Sequence, residues 1–228
     1  MNLKIKNALI SVSDKEKLST ILKVLKKHKI NIISSGGTYN AIRKLGHECI
    51  ELSKYTGFKE MLDGRVKTLH PKIYGSLLCD LGKQKHLDQC VEHQIPNIKV
   101  VIVNLYPFYK TIKNAESTQD DIIENIDIGG VTLIRAAAKN YKHITVVVDP
   151  SDYGAVINNI SCITLKHKQY LANRAFQIIA EYDTHISNYF ASQTQDIFTN
   201  DSYSDNQKIP SFFFSQPTIS QQQSSCTA

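Results

Sequence analysis

The chain has 228 residues, 42% hydrophobic and 21% charged, values near the globular average that exclude wholesale disorder, a collagen-like repeat and a disulfide-stapled miniprotein. Its 27 Lys and Arg against 21 Asp and Glu give a formal charge of +6, but the basic residues are dispersed, so a small anionic ligand explains them as well as a nucleic acid does. Apolar runs such as Val100–Val103 fall far below the roughly 18 residues of a membrane span, no cleavable leader is read at the N-terminus, and the five cysteines (Cys49, Cys79, Cys90, Cys162, Cys226) stand singly, as expected of reduced thiols in a cytoplasmic protein.

Along the chain, Ala8–Val12 reads as a buried strand, and Ser13 with Glu16 three positions later carries the pattern of a capping box. Leu18, Ile21, Leu22 and Leu25 then fall at helical spacing on one face. Ile30–Ser34 is a second strand, Ser35-Gly36-Gly37-Thr38 a turn into a short helix that Gly46 ends, and His47–Leu52 a third strand. Thr56–Asp63 predicts a short helix, Gly64–Pro71 a loop, Ile73–Leu78 a strand and Lys83–His93 a helix. Val100–Asn104 is the strongest strand signal, closed by Tyr106-Pro107. Asp120–Asn125 and Val131–Asn140 predict helices either side of Asp127-Ile128-Gly129-Gly130, Ile144–Val148 a further strand, and Leu165 to about Tyr189 a long helix. The alternation is that of βαβ units around a parallel sheet, an α/β fold. Beyond Ile197, Ser and Gln dominate without periodicity, so residues 198–228 are expected to form a poorly ordered tail.

In a sheet of this kind ligands bind beyond the carboxyl ends of the strands. The loops expected there carry Ser11, Ser13, Asp14 and Lys15; Ser35-Gly36-Gly37-Thr38; Asn104 and Tyr106; and Asp127 before Gly129-Gly130. The Ser-Gly-Gly-Thr turn suits an anion, because glycine admits close backbone approach and the following helix presents its positive end. An empty helix cap accounts for those four residues equally well. Arg65 and Lys67 flank Val66, so extended backbone projects both to one side beside Thr68. Asp127 reads either as a helix cap or as a reactive carboxyl, and Lys139 either as a dipole complement or as its partner. No metal site is suggested: His47 and Cys49 share a strand face without a second ligand pair.

Seven blocks in order resemble a known family: Ser11-Val12-Ser13-Asp14-Lys15, Ser35-Gly36-Gly37-Thr38, Thr56-Gly57-Phe58, Gly64-Arg65-Val66-Lys67-Thr68-Leu69-His70-Pro71, Asn104-Leu105-Tyr106-Pro107-Phe108, Ile126-Asp127-Ile128-Gly129-Gly130-Val131-Thr132 and Arg135-Ala136-Ala137-Ala138-Lys139-Asn140. The set is similar to the inosine monophosphate (IMP) cyclohydrolase domain that opens the bifunctional purine-biosynthesis enzymes of the PurH family. That resemblance covers residues from about 7 to about 195. It implies a methylglyoxal-synthase-like fold, a doubly wound, mostly parallel sheet with helices on both faces. It also implies closure of 5-formamidoimidazole-4-carboxamide ribotide to IMP, with neither metal nor cofactor. It puts the ribotide phosphate near Ser13, Lys15 and Ser35–Thr38, and the base near Arg65–Thr68 (with Val66), Val103-Asn104 and Asp127-Ile128, with Ser11, Asp14 and Gly129 adjoining. Lys67, Tyr106, Asp127 and Lys139 match positions assigned to catalysis.

The family's folate-dependent transformylase domain has no counterpart in these residues, so a cyclohydrolase domain over residues 1–197 is expected. The partner implied is a small purine ribotide, not a nucleic acid or a membrane, and the family's dimer leaves a homodimer open. Other readings of the same blocks are a nucleotide-sensing module of this fold, an elimination enzyme like methylglyoxal synthase, and an inactive remnant.

Overall fold

Strands and helices alternate along residues 5–160 and 162–194, the part of the chain that this computed structural model describes. Met1–Ala191 form one compact unit. The elements run β1 (Asn7–Val12), α1 (Leu18–Lys27), β2 (Asn31–Ser34), α2 (Gly36–Lys44), β3 (Ile50–Glu51), α3 (Leu52–Thr56), α4 (Pro71–Leu78), α5 (Gln84–Glu92), β4 (Ile98–Asn104), α6 (Phe108–Lys113), α7 (Gln119–Glu124), α8 (Gly129–Lys139), β5 (Thr145–Val147), a 3-10 turn (Pro150–Asp152), α9 (Tyr153–Asn159) and α10 (Leu165–Thr194).

All five strands are parallel, in the order β3-β2-β1-β4-β5. Because successive side chains on a strand point to opposite faces, the sheet feeds two cores. Leu9, Ile33, Val101 and Val103 pack on one face with Ile73 and Leu77 of α4 and the alanines of α8. Ala8, Ile10, Val12, Val100 and Ile102 pack on the other with the Leu18–Leu25 stripe of α1, Ile42 of α2 and Val156 of α9. The register slips between Asn7 and Ala8, whose partners are Ile98 and Val100, so Lys99 is the extra residue of a bulge. Sheet class and two-faced cover agree with the sequence reading.

Several local readings are corrected. Ile73–Leu78 is helical, not a strand: Pro71 occupies the first turn, where its missing N–H costs nothing, and His70 caps it by accepting at Nδ1 from the Lys72 amide at 3.2 Å. The helix expected over Thr56–Asp63 lies one turn earlier, as α3, and Gly57 at φ 76° ends it. The third strand shrinks from His47–Leu52 to Ile50–Glu51. The Ser13/Glu16 box does not form, because Lys17 in a left-handed conformation opens α1 with no side-chain cap. A true capping box joins Thr118 and Asp121 ahead of α7. The short helices α6 and α9 have no counterpart in the sequence reading.

Cys49, Cys79, Cys90 and Cys162 are free thiols. Cys226 and the tail beyond Ile197 lie outside the described residues. Among the described residues no helix is long and apolar enough to cross a membrane, and no group of three or more His, Cys, Asp or Glu is placed to hold a metal ion.

Candidate active site

From β1 the chain winds to β2 and β3 on one side, then returns to β4 on the other. The loops after β1 and β4 therefore diverge at the carboxyl edge and open a crevice, the switch point at which such sheets bind ligands. A cleft of about 640 Å³ fills it, a size suited to a nucleotide-like molecule.

Asn104, at the end of β4, stitches the crevice together. Its Oδ1 accepts from the amides of Ser13 at 2.6 Å and Asp14 at 3.0 Å, and its Nδ2 donates to the Asp14 carbonyl at 2.9 Å. With its amide so engaged, Asn104 shapes the loop after β1, from which Ser13 and Lys15 face the cleft.

The floor at one end is the start of α2. The first amides of a helix have no intrahelical acceptor and carry partial positive charge. Thr38 anchors them to β1, its Oγ1 accepting from the Val12 amide at 3.0 Å and donating to the Val12 carbonyl at 2.9 Å. Ser35 Oγ is buried there without a hydrogen-bond partner. An orphaned buried hydroxyl costs about 1–3 kcal/mol, a cost that a ligand oxygen accepting from it would remove.

The cationic wall is the loop after α3. Met61 and Val66 exchange backbone hydrogen bonds of 3.1 and 3.2 Å, and Leu62 and Asp63 both take φ 54° ahead of Gly64 at 86°. Left-handed backbone at two non-glycine residues is strained, and the tight turn it makes aims Arg65 and Lys67 into the cleft. Lys67 Nζ reaches the helix start, 3.8 Å from where a Cβ on Gly36 would sit. Arg65 instead is paired with Glu124 of α7, Nε lying 3.3 Å from Oε1. That contact holds the guanidinium above its usual range and the Glu124 carboxyl below its own.

Opposite stands Asp127. Its Oδ1 accepts from the Gly130 amide at 2.7 Å, capping α8. Burial pushes its pKa up, against the Gly130 hydrogen bond, the charge of Lys67 and a backbone hydrogen bond from Tyr106, all of which pull it down. Asp127 therefore caps α8 and lines the same cleft as Lys67. The adjoining glycines are required by space. A Cβ on Gly129 would stand 2.6 Å from Thr68 Oγ1, and one on Gly130 would stand 2.5 Å from Asp127 Oδ2. Around the mouth, Tyr106, Ile123 and Ile128 are large apolar side chains left 49%, 38% and 58% exposed, a surface against which a planar heterocycle can stack.

The structure thus brings Ser11, Ser13, Lys15, Ser35, Gly37, Thr38, Arg65, Lys67, Thr68, Asn104, Tyr106, Asp127, Ile128 and Gly129 to one cleft. It does not bring five others to the cleft wall. Asp14, Gly36 and Val66 contribute backbone framing through the contacts above, and Val103 is wholly buried in the core. Lys139 is exposed at the far end of α8, ten residues from Gly129 and so about 15 Å away at 1.5 Å per residue. Sequence reasoning missed Asp63, Ile123, Glu124 and Asn125 on the cleft wall, and held Ile126 only as part of a family block. It also missed Tyr182 of α10, which accepts from the Asp127 amide at 2.8 Å; a tyrosine at core spacing 55 residues away gave no signal.

Known proteins resemble this chain in two blocks. The MGS-like domain family matches residues 17–132, and the AICARFT/IMPCHase bienzyme family matches residues 137–215, running past Ile197. The bifunctional purine biosynthesis protein PurH of Oceanobacillus iheyensis is 47% identical over 193 residues, 84% of this chain and 38% of that protein. The same protein of Bacillus subtilis is 46% identical over 191 residues, 82% of this chain and 37% of its own length. That of Neisseria meningitidis serogroup A is 46% identical over 199 residues, 86% of this chain and 38% of its own. The chain therefore spans less than two fifths of these curated relatives. Among solved structures, that of ForH superposes with a TM-score of 0.74 at 28% identity, covering 82% of this chain and 97% of that one.

Proposed function

The chain belongs to the MGS-like domain family, and from that premise we propose that its cleft closes 5-formamidoimidazole-4-carboxamide ribotide to IMP with loss of water. The observation that carries the reading is Asp127, partly buried and with a raised pKa, standing across one cleft from Lys67 and beside an anion cradle whose Ser35 hydroxyl lacks a partner. A cleft for binding alone needs the cradle and the apolar mouth; it has no need of a destabilised carboxyl.

The ribotide phosphate sits on the amides that open α2, with Ser35 Oγ donating to it. The imidazole lies against Tyr106 and Ile128. This pose sets the carboxamide nitrogen against the formyl carbon, and such positioning supplies several kcal/mol, with roughly 7–11 as the limit for ideal geometry. The nitrogen attacks, a C–N bond forms, and the formyl C=O pair moves to oxygen, where the Lys67 ammonium stabilises the charge. The attacking nitrogen gives up a proton and the oxygen takes one, leaving a carbinolamine; its hydroxyl then receives a second proton and its C–O bond breaks to release water, while the former formamide nitrogen loses its proton and its electron pair closes the ring C=N bond. Asp127 serves these transfers because a carboxyl with a raised pKa exchanges protons nearer neutral pH than an ordinary one. Tyr106 is the second proton-bearing group at the mouth. Lys139 takes no part in these steps. The same reading holds the catalytic domain to residues 1–197, in the cytoplasm, acting on a free ribotide.

The test is ultraviolet absorbance of the formamido ribotide mixed with the purified chain. Conversion to IMP above the uncatalysed rate is expected. IMP binding without conversion would replace the reading with a nucleotide-sensing module.

A further inference from the structure

Tyr182 lies on α10, only 7% exposed, directly beneath the turn that joins α7 to α8. Its hydroxyl touches both limbs of that turn, accepting from the Asp127 amide at 2.8 Å and donating to the Asn125 carbonyl at 3.3 Å. The ring packs edge-on to Phe108, centroids 6.1 Å apart at 66°, within a satellite core that includes Ile122 of α7. Phe108 follows Tyr106-Pro107 in the chain. The Tyr106 segment, just after β4, and the Asp127 turn, between α7 and α8, therefore share one support. Asp127 is gripped at its own amide by Tyr182 and at its carboxyl by the Gly130 amide and a backbone hydrogen bond from Tyr106.

We propose that Tyr182 is the positioning residue of the site, its hydroxyl holding the Asn125–Asp127 turn so that the Asp127 carboxyl stays partly withdrawn from solvent and aimed at the reacting ring. The inference rests on the function proposed above for Asp127. The charged and titratable groups around Asp127 are Lys67 from the loop after α3, Tyr106 after β4, whose backbone hydrogen-bonds the carboxyl, Tyr74 of α4, which reaches the turn through Thr132 at 2.6 Å, and Tyr182 itself, with Asp183 beside it. None of the others bonds the Asp127 amide. Without the Tyr182 hydroxyl, the Asp127 N–H and the Asn125 carbonyl must find water, and water reaching the turn also reaches the carboxyl. Burial is the largest cause of the raised Asp127 pKa, so hydration lowers it.

The test is Tyr182→Phe, which keeps the ring and removes one oxygen, beside Phe108→Leu, which loosens the same cluster and leaves the hydroxyl in place. In ligand-free protein, the Asp127 carboxyl is titrated by its ¹³C resonance. The expected result is a midpoint lower in Tyr182→Phe by about half a pH unit or more, with Phe108→Leu unchanged. In the cyclisation assay, kcat of Tyr182→Phe should fall about tenfold, the scale of one well-made hydrogen bond, while KM stays near wild type and the acid limb of the pH profile moves down with the titration. An unshifted carboxyl in Tyr182→Phe, or an equal shift in Phe108→Leu, overturns the proposal. A wild-type chain that does not cyclise its ribotide strikes the proposed function alone, because the titration needs no turnover.

Discussion

Replacing Gly130 by alanine tests the packing on which Asp127 depends. The added Cβ would stand 2.5 Å from Asp127 Oδ2, 2.9 Å from its Cγ and 2.9 Å from Leu105 Cδ2, against an ordinary contact of about 3.5 Å or more. Leu105 is partly buried between two clusters, so the carboxyl is the group that gives way. Forced overlap of one methyl costs about 1–3 kcal/mol. The charge-assisted bond from the Gly130 amide to Asp127 Oδ1 adds about 1.5–3 kcal/mol if it breaks. Against this, alanine gains up to about 1 kcal/mol over glycine in a helix. With the bond broken, the balance is a loss of about 1.5–5 kcal/mol, or a Tm lower by roughly 3–20 °C for a domain of this size. Thermal unfolding followed by circular dichroism measures it, and the cyclisation rate of the same sample should fall with it. Gly154 in α9 is the control, since a Cβ there meets nothing within 4 Å and the backbone is not left-handed. Gly154→Ala should raise Tm by about 1–4 °C. A Gly130→Ala protein that melts at or above the wild-type temperature and turns over normally would refute the packing argument.

Lys67→Ala should lower kcat by about 10²–10³-fold, the range for loss of one oxyanion donor, with Tm nearly unchanged because Lys67 stands on a loop; steady-state kinetics beside a melt decide it, and unaltered turnover removes Lys67 from the mechanism. Asp127→Asn keeps an acceptor for Gly130 and abolishes the charge. The folded-state pKa of Asp127 is raised, so its contribution to stability is fully present below the ordinary carboxylate range and is lost as pH rises through the raised value. The variant should therefore match wild type near pH 3, at about the foot of that range, and melt higher at neutral pH while losing activity; a wild type that melts higher at neutral pH contradicts the burial cost. Asn140→Ala removes two hydrogen bonds, of 2.8 and 2.9 Å, to the Leu77 and Cys79 carbonyls at the end of α4. It should cost about 1–3 kcal/mol, read by urea unfolding, and an unshifted midpoint would mean that water replaces those bonds freely.

Period and composition were enough to read the sheet and most of its helices, because β-branched runs such as Val100–Val103 and the Leu18–Leu25 stripe answer to burial on a face. They failed where a capping residue outweighs an apolar run. Ile73, Leu77 and Leu78 look strand-like until Pro71 and His70 are recognised as a helix start. The loops facing the cleft were legible for the same reason that they are chemical: Ser35-Gly36-Gly37-Thr38 and Asp127-Ile128-Gly129-Gly130 combine residues that backbone geometry alone seldom demands together. What the order of residues does not carry is distance. Val103 and Asn104 are neighbours in the chain, yet one points into the core and the other into the crevice. Lys139 shares a helix with Gly129 but lies near its opposite end. Glu124 and Tyr182 reach the cleft and the turn beneath it only because helices without motifs of their own pack there.

The two family matches meet between residues 132 and 137, and that seam falls inside α8, an unbroken helix from Gly129 to Lys139. No hinge divides the two matched blocks at this point. A shortened protein cut at the seam would split the first turn of the helix, which Asp127 caps through the Gly130 amide, from the turns that bury Ala136, Ala137 and Ala138, and would discard the tyrosine on which that aspartate rests. Engineers who swap segments among these proteins should place their junction elsewhere.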